Sequence, residues 1–169
     1  MQDGFIAEGL LQASMKKSRS NLVILFFLMV VVMIGFGIII PIMPFYIESM
    51  GADATQLGML MAVFSIMQFL FAPMWGSISD RIGRKPVLLL GALGNALTQL
   101  MMGFSTEYWM LFASRALAGV LSSATLPTAM AYISDSTDTK GRSGGMGIIG
   151  AAMGVGMVLG PGIGGMLGG

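Results

Sequence analysis

Long apolar runs alternate with short polar stretches along this chain. Five such runs can be drawn, over residues 22–44, 56–79, 86–104, 108–132 and 146–169. Each run is about 20 residues long, which is the length that an α-helix needs to cross the hydrocarbon core of a bilayer. The pattern predicts an all-α membrane protein with five spanning helices. Residues 1–21 precede the first run and are expected to form a separate N-terminal segment outside the hydrocarbon core.

The composition supports a membrane protein and excludes several other classes. Only 10% of the 169 residues are charged, whereas a soluble domain carries about 25%. Cysteine and histidine are absent, so disulfides, thiol chemistry and Cys/His zinc sites are excluded. No nucleophile motif, phosphate loop, metal site or cofactor motif indicates an enzyme. A net charge of +1 without a basic tail gives no reason to expect a nucleic-acid partner.

The positive residues indicate how the helices are oriented. Apart from one arginine inside the fourth run, they fall on alternate sides of the five runs, in three groups: Lys16, Lys17 and Arg19; Arg81, Arg84 and Lys85; Lys140 and Arg142. Cytoplasmic loops of membrane proteins carry an excess of lysine and arginine. We therefore expect a multi-pass protein of the cell (inner) membrane, in contact with the lipid bilayer, with a cytoplasmic N-terminus that includes residues 1–21.

The last apolar run continues to Gly169 without a polar stop, a positive flank or an aromatic belt. An odd number of helices that ends in this way suggests an N-terminal piece of a longer protein, with the C-terminal part missing. The alternative is a short membrane protein that does not transport and acts through helix–helix association.

The stretch GSISDRIGRKP concentrates charge between the second and third runs. Asp80 lies near the C-terminus of the second predicted helix, where the helix dipole disfavours a carboxylate unless cations such as Arg81 and Arg84 neutralise it. Gly83 permits a positive φ in a tight connection. A simple positive anchor would explain Arg84 and Lys85, but it would not explain the order of the residues.

That order resembles the loop between the second and third helices of major facilitator superfamily transporters. The matching residues are Gly76, Asp80, Arg81, Gly83, Arg84 and Lys85. The resemblance implies the N-terminal helices one to five of a twelve-helix fold, so that residues 22–169 form part of the N-terminal transporter domain. It also implies a cytoplasmic charge network that latches the two transporter halves. In that network Asp80 is the hub, Arg84 the bridging cation and Asp135 the second anion.

Arg115 is the arginine inside the fourth run, about 10 Å from its outer end at 1.5 Å per residue. A charged side chain inside a membrane costs at least a few kcal/mol and is usually functional. The alternative is an arginine that extends back to the outer surface. The superfamily has an Arg-x-x-Gln-Gly motif here that is associated with proton coupling. Arg115 and Gly119 match it, but Ala118 stands in place of the glutamine.

The fifth run carries a glycine pattern that resembles the helix-five motif of drug–proton antiporters. The matching residues are Gly147, Gly156, Gly160, Pro161, Gly164 and Gly165. Glycines at every fourth position, as at Gly156, Gly160 and Gly164, form a groove that another helix can approach closely. Pro161 removes one backbone donor and favours a kink. Ordinary packing of small residues is the alternative interpretation.

The first run contains GFGIIIPIMP, which resembles the helix-one pattern of the same antiporters through Gly35, Pro41 and Pro44. The two prolines either loosen the helix near its outer end or terminate it. The uncharged polar residues Gln68, Asn95 and Gln99 either line a cavity or form hydrogen bonds between helices.

The resemblance implies an exporter of small lipophilic or cationic compounds that works by proton antiport and alternating access. A major facilitator transporter of a sugar, a metabolite or a siderophore is the alternative within the family. The five runs contain no aspartate or glutamate. We therefore expect the carboxylate that carries the proton to lie in the missing part.

Overall fold

The computed structural model describes the backbone of residues 2–137 and 141–168 and the side chains of residues 21–137 and 141–166. Lys140 and the side chains of Lys16, Lys17 and Arg19, which entered the charge pattern, lie outside these described residues. The described chain forms helices throughout: α1 (Gln2–Ser49), α2 (Ala54–Ile82), α3 (Arg84–Gly103), α4 (Tyr108–Ser122), α5 (Thr125–Ser136) and α6 (Gly141–Gly168). The predicted all-α fold class is confirmed.

Five segments of the described chain are long and apolar enough to cross a membrane: Asn21–Ser49, Ala54–Ile82, Arg84–Gly103, Tyr108–Ser136 and Gly141–Met166. They correspond to the five apolar runs. The first segment continues beyond Pro41 and Pro44 to Ser49, so the two prolines do not terminate the helix.

Two glycines and one capping pair set the first connections between helices. Gly51 has a φ of 73° and ends the turn after α1. The side chain of Asp53 accepts a hydrogen bond from the backbone N–H of Gln56 at 2.8 Å, and the Gln56 side chain accepts one from the N–H of Asp53 at 2.9 Å. This reciprocal pair starts α2 by satisfying two donors that the helix leaves free. Gly83 has a φ of 99° and separates α2 from α3.

The fourth predicted span is interrupted, and Pro127 gives the physical reason. Proline lacks a backbone N–H and its ring crowds the carbonyl group four residues earlier, which here belongs to Ser123. The N–H of Ala124 bonds to Leu121 O at 3.3 Å instead of continuing the α-helical pattern. The carbonyl oxygen of Val120, released at the break, accepts from the indole Nε1–H of Trp75 on α2 at 2.7 Å and from Ser123 Oγ at 2.6 Å.

The helices pack in pairs, with α1 along α6, α2 along α4, and α3 along α4 and α5. One buried apolar cluster joins α1, α3, α5 and α6 around Met29, Leu88 and Ile133. A second joins α1, α2 and α4 around Met43, Leu60 and Leu111. Arg115 lies between the two clusters along the fourth span.

Candidate functional site

A charge cluster joins the adjoining ends of α2 and α3 to the C-terminal end of α5. Arg84 Nη2 lies 2.5 Å from Asp80 Oδ1, and Arg84 Nε donates to Asp135 Oδ2 at 2.9 Å. Arg84 Nη1 donates to Ser79 Oγ at 2.6 Å. The three predicted members are therefore brought together, with Arg84 rather than Asp80 at the centre.

The exposure of this cluster differs from one member to the next. The Arg84 side chain is 20% exposed, whereas Asp80 and Asp135 are 62% and 57% exposed. Ion pairs open to water contribute about 0–1 kcal/mol to stability, so this network contributes little to folding. Its exposed carboxylate oxygens remain available to a further cation. Arg81 and Lys85 are exposed, and neither forms an ion pair within the described part of the chain.

Arg115 is 2% exposed, so the alternative of an arginine that reaches the outer surface is wrong. Its Nη2 lies 3.7 Å from Met61 Sδ, and its Cζ lies 5.3 Å from the centroid of the Phe64 ring. The Nε–H has no hydrogen-bond partner, and no carboxylate of the described residues pairs with the guanidinium. A cation–π contact compensates only part of the lost hydration of such a cation.

Neutral polar groups from α3 and α4 line the narrow space beside Arg115, namely Asn95, Thr98, Gln99 and Ser114. Gln99 Nε2 donates to the backbone oxygen of Gly35 at 2.5 Å. Gln99 therefore both lines this space and holds α3 against α1. Thr98, Gln99 and Ser114 already donate to backbone carbonyl oxygens. The arrangement therefore presents a buried cation that no described carboxylate neutralises, which suits an anionic or electron-rich partner.

The glycine face of α6 packs directly on α1. A Cβ atom placed on Gly160 would lie 2.6 Å from Gly37 Cα and 2.9 Å from Ile34 O, and one on Gly164 would lie 2.9 Å from a further carbonyl oxygen of α1. A Cβ on Gly156 would meet the backbone of Ile34 at 3.0 Å. The two backbones approach as closely as they do because the glycines at the contact have no side chains. This face of α6 is therefore occupied by α1 within the chain.

The other members of the glycine motif lie elsewhere on α6. At Gly147 and Gly165 an added Cβ would have no atom within 4 Å, and Pro161 lies within the helix. The three residues of the helix-one pattern also lie in different surroundings. Gly35 faces Gln99, Pro41 packs near Gly164, and Pro44 is exposed.

Gly119 of the Arg115 motif has a packing function in the structure. A Cβ on Gly119 would lie 2.5 Å from Phe64 O and 2.7 Å from Met67 Cβ. The absence of a side chain at Gly119 therefore lets α4 approach α2, which places Arg115 over the Phe64 ring. Gly76, in contrast, has nothing within 4 Å of its Cβ position.

Comparison with known families decides the identity of this fold. The sequence profile of the Major Facilitator Superfamily matches residues 25–169. The chain belongs to the major facilitator superfamily. Members of this superfamily are integral multi-pass membrane transporters, in agreement with the five apolar segments.

Two superfamily relatives and one solved superfamily structure resemble most of this chain. The tetracycline resistance protein, class H, of Pasteurella multocida is 40% identical over 153 residues, which are 89% of this chain and 38% of that protein. Multidrug resistance protein 2 of Bacillus subtilis is 35% identical over 159 residues, 94% of this chain and 40% of that protein. The crystal structure of the human organic anion transporter MFSD10 has a TM-score of 0.78 at 26% identity, covering 88% of this chain and 42% of that one. The chain therefore spans about two fifths of the length of the relatives that it matches.

Sequence reasoning missed three residues that take part in the contacts described above. Ser79 accepts a hydrogen bond from Arg84, Gly37 forms the α1 side of the glycine contact, and Trp75 caps the break in the fourth span. The GFG spacing in the first run was a usable signal for Gly37. Ser79 and Trp75 gave none, because their partners are set by tertiary packing.

Proposed function

We propose that this chain forms part of a secondary transporter that exports small lipophilic or cationic compounds in exchange for protons, by alternating access. The main support for this proposal is the similarity to tetracycline and multidrug resistance proteins over 89% and 94% of the chain. The N-terminus and the Arg84 cluster would lie on the cytoplasmic side of the cell (inner) membrane. The remaining part of the transporter would supply the second half and the carboxylate that carries the proton.

The Arg84 cluster supports a gating function within this proposal. Arg84 joins Asp80 and Asp135 through atoms of one guanidinium, and both carboxylates are more than half exposed. Exposed charge contacts break and re-form at small cost. A cluster of this kind can hold one arrangement of helix ends and release it when the halves move. Arg81 and Lys85 supply further positive charge at the same edge.

Arg115 supports a coupling function. A buried guanidinium without a counter-charge attracts a carboxylate or a substrate anion, and it disfavours a second cation nearby. Proton binding to a carboxylate that faces Arg115 would weaken their attraction, which links the protonation state to the packing of α4. The described residues contain no such carboxylate, so the partner would come from the rest of the transporter.

The test is efflux of tetracycline and of ethidium by cells that express the full-length protein. We expect Arg115→Ala to abolish efflux at an unchanged membrane level of the protein. Arg142→Ala is the matched control, because Arg142 is an exposed arginine whose Nη2 donates to Ser134 O at 3.3 Å. Unchanged efflux in Arg115→Ala would exclude the coupling function.

Transport of an organic anion is the second candidate, favoured by the unpaired guanidinium of Arg115 and by the structural similarity to the human organic anion transporter MFSD10. Counterflow assays in proteoliposomes distinguish the two. Accumulation of a labelled dicarboxylate without transport of tetracycline or ethidium would favour the anion transporter.

A further inference from the structure

A narrow cavity beside Arg115 lies among four helices of this chain, α1 to α4. Its volume is about 10 Å³, which is close to the volume that a single buried water molecule needs. Arg115 is already 2% exposed when these helices alone surround it. The cavity therefore has room for a very small occupant and excludes a molecule the size of a drug. Its polar lining comes from α3 and α4: Asn95, Thr98, Gln99, Ser114 and Arg115.

The Nε–H of Arg115 is a buried donor that has no hydrogen-bond acceptor among the residues that the structure describes. The other contacts of this side chain involve different parts of the guanidinium. Met61 Sδ lies 3.7 Å from Nη2, and the centroid of the Phe64 ring lies 5.3 Å from Cζ. A buried donor on a charged group is costly to leave without an acceptor. A partner for Nε in this cavity would therefore be strongly favoured.

The other polar groups of the cavity offer acceptors more than donors. Thr98 Oγ1 and Ser114 Oγ donate to backbone oxygens of their own helices at 3.0 and 2.8 Å, and Gln99 Nε2 donates to a backbone oxygen of α1 at 2.5 Å. The side-chain oxygens of these residues retain lone pairs that can accept. Such a lining favours water, which accepts and donates hydrogen bonds, over an anion, which only accepts them.

We propose that this cavity is a binding site for one water molecule, which accepts a hydrogen bond from Arg115 Nε and donates to side-chain oxygens of α3 and α4. Ala118 leaves the room for it, because its short side chain lines the same cavity. The bound water retains part of the hydration of the guanidinium inside the protein, which lowers the cost of a charge at this depth. The proposal does not depend on which compound is transported. The terminal nitrogens of Arg115 stay available to a carboxylate from the rest of the transporter.

Two substitutions of similar size at Ala118, made in the full-length protein, test whether Nε requires a polar partner. In Ala118→Gln the amide oxygen replaces the water as the acceptor. In Ala118→Met a side chain of similar length fills the same space, but its thioether is a weak acceptor. The two residues have similar helix propensities. We expect the melting temperature of Ala118→Met to lie about 2 °C or more below that of Ala118→Gln.

Ala113 provides the matched control, because it is an exposed alanine of the same helix that does not line the cavity. At this position the glutamine variant should not melt above the methionine variant. A cryo-electron microscopy map that shows ordered water tests the site directly. We expect one density peak within hydrogen-bond distance of Arg115 Nε in the parent protein and none in Ala118→Gln. The map of the parent decides by itself if both variants at Ala118 fail to fold.

Four outcomes would overturn the proposal. A melting temperature of Ala118→Met equal to or above that of Ala118→Gln would show that Nε does not require an acceptor. A map of the parent without density beside Nε would show that the cavity is empty. Density of a side chain from the rest of the transporter would assign the cavity to that side chain. A lower melting temperature of the parent, but not of Ala118→Gln, when gluconate replaces chloride would identify the occupant as a chloride ion.

Discussion

Arg84 Nε lies 2.9 Å from Asp135 Oδ2, although the two residues are 51 positions apart in the sequence. The same guanidinium also binds Asp80 and Ser79 through its two terminal nitrogens. One side chain therefore ties the α2–α3 connection to the end of α5. The fork geometry of arginine makes this possible, because each of its three nitrogens reaches a different acceptor.

The first prediction concerns Arg84→Lys. The substitution keeps the positive charge, but a single ammonium group cannot reach three acceptors that are spread around a planar fork. We expect transport to fall about tenfold or more, while the free energy of unfolding changes by less than about 1 kcal/mol because the pairs are exposed. Efflux and the melting temperature of the detergent-solubilised protein are measured together. Retained efflux would show that charge alone is sufficient at this position.

The second prediction compares two glycines of α6. In Gly160→Ala the new methyl group would lie 2.6 Å from Gly37 Cα and 2.9 Å from Ile34 O. These are backbone atoms, so α1 and α6 must move apart. We expect the free energy of unfolding to fall by about 1–3 kcal/mol, which is typical of overpacking. Thermal unfolding in detergent measures it.

Gly147→Ala is the matched control for this comparison. It lies on the same helix and has no atom within 4 Å of its Cβ position. Alanine also has a higher helix propensity than glycine by about 1 kcal/mol, so this variant should be as stable as the parent or more so. Equal losses in the two variants would mean that the α1–α6 contact does not depend on the absence of a side chain.

The third prediction compares the stability of alanine variants at the two glycines of the stretch GSISDRIGRKP. Gly83 has a φ of 99°, where a side chain introduces strain. Gly83→Ala should therefore lower the free energy of unfolding by about 1–2 kcal/mol. Gly76 lies inside α2 with nothing within 4 Å of its Cβ position, so Gly76→Ala should not reduce stability. Comparison of the two melting temperatures tests this. A lower melting temperature for Gly76→Ala than for Gly83→Ala would contradict the turn geometry.

The number and order of the membrane helices could be predicted from the sequence, because hydropathy over about 20 residues is a local property. The break in the fourth span could not be placed in this way. Pro127 is visible in the sequence, but helices in membranes often accommodate proline. At the interruption Val120 O accepts from Ser123 Oγ of the same span and from Trp75 of another helix, and the second contact is set by tertiary packing.

The site was predictable in its residues more than in its contacts. The resemblance named Asp80, Arg84 and Asp135, which the fold brings together. The glycine spacing of α6 indicated that a helix would approach it, but not that this helix is α1. The sequence of one helix alone does not specify which distant helix packs against it. Burial of Arg115 followed neither from its depth nor from its neighbours in the sequence.

The last prediction concerns the energetic cost of Arg115. An arginine inside a membrane helix costs up to about 2.5–3.5 kcal/mol on insertion scales, and a desolvated cation–π contact such as that with Phe64 returns about 2 kcal/mol or more of this. Met61 contributes only a weak sulfur acceptor at 3.7 Å. Arg115→Met removes the charge and leaves a shorter, flexible apolar side chain that follows the course of the arginine stem, so we expect the melting temperature to rise while efflux is lost.

A gain in stability together with a loss of activity is the signature of a residue kept for function at the expense of folding. The opposite result, a clear fall in melting temperature for Arg115→Met, would mean that Arg115 has a stabilising anionic partner in the full-length protein. Arg115→Lys separates charge from shape: it should keep the instability of the parent. Recovery of efflux in Arg115→Lys would indicate that positive charge at this depth, rather than the guanidinium fork, is what coupling requires.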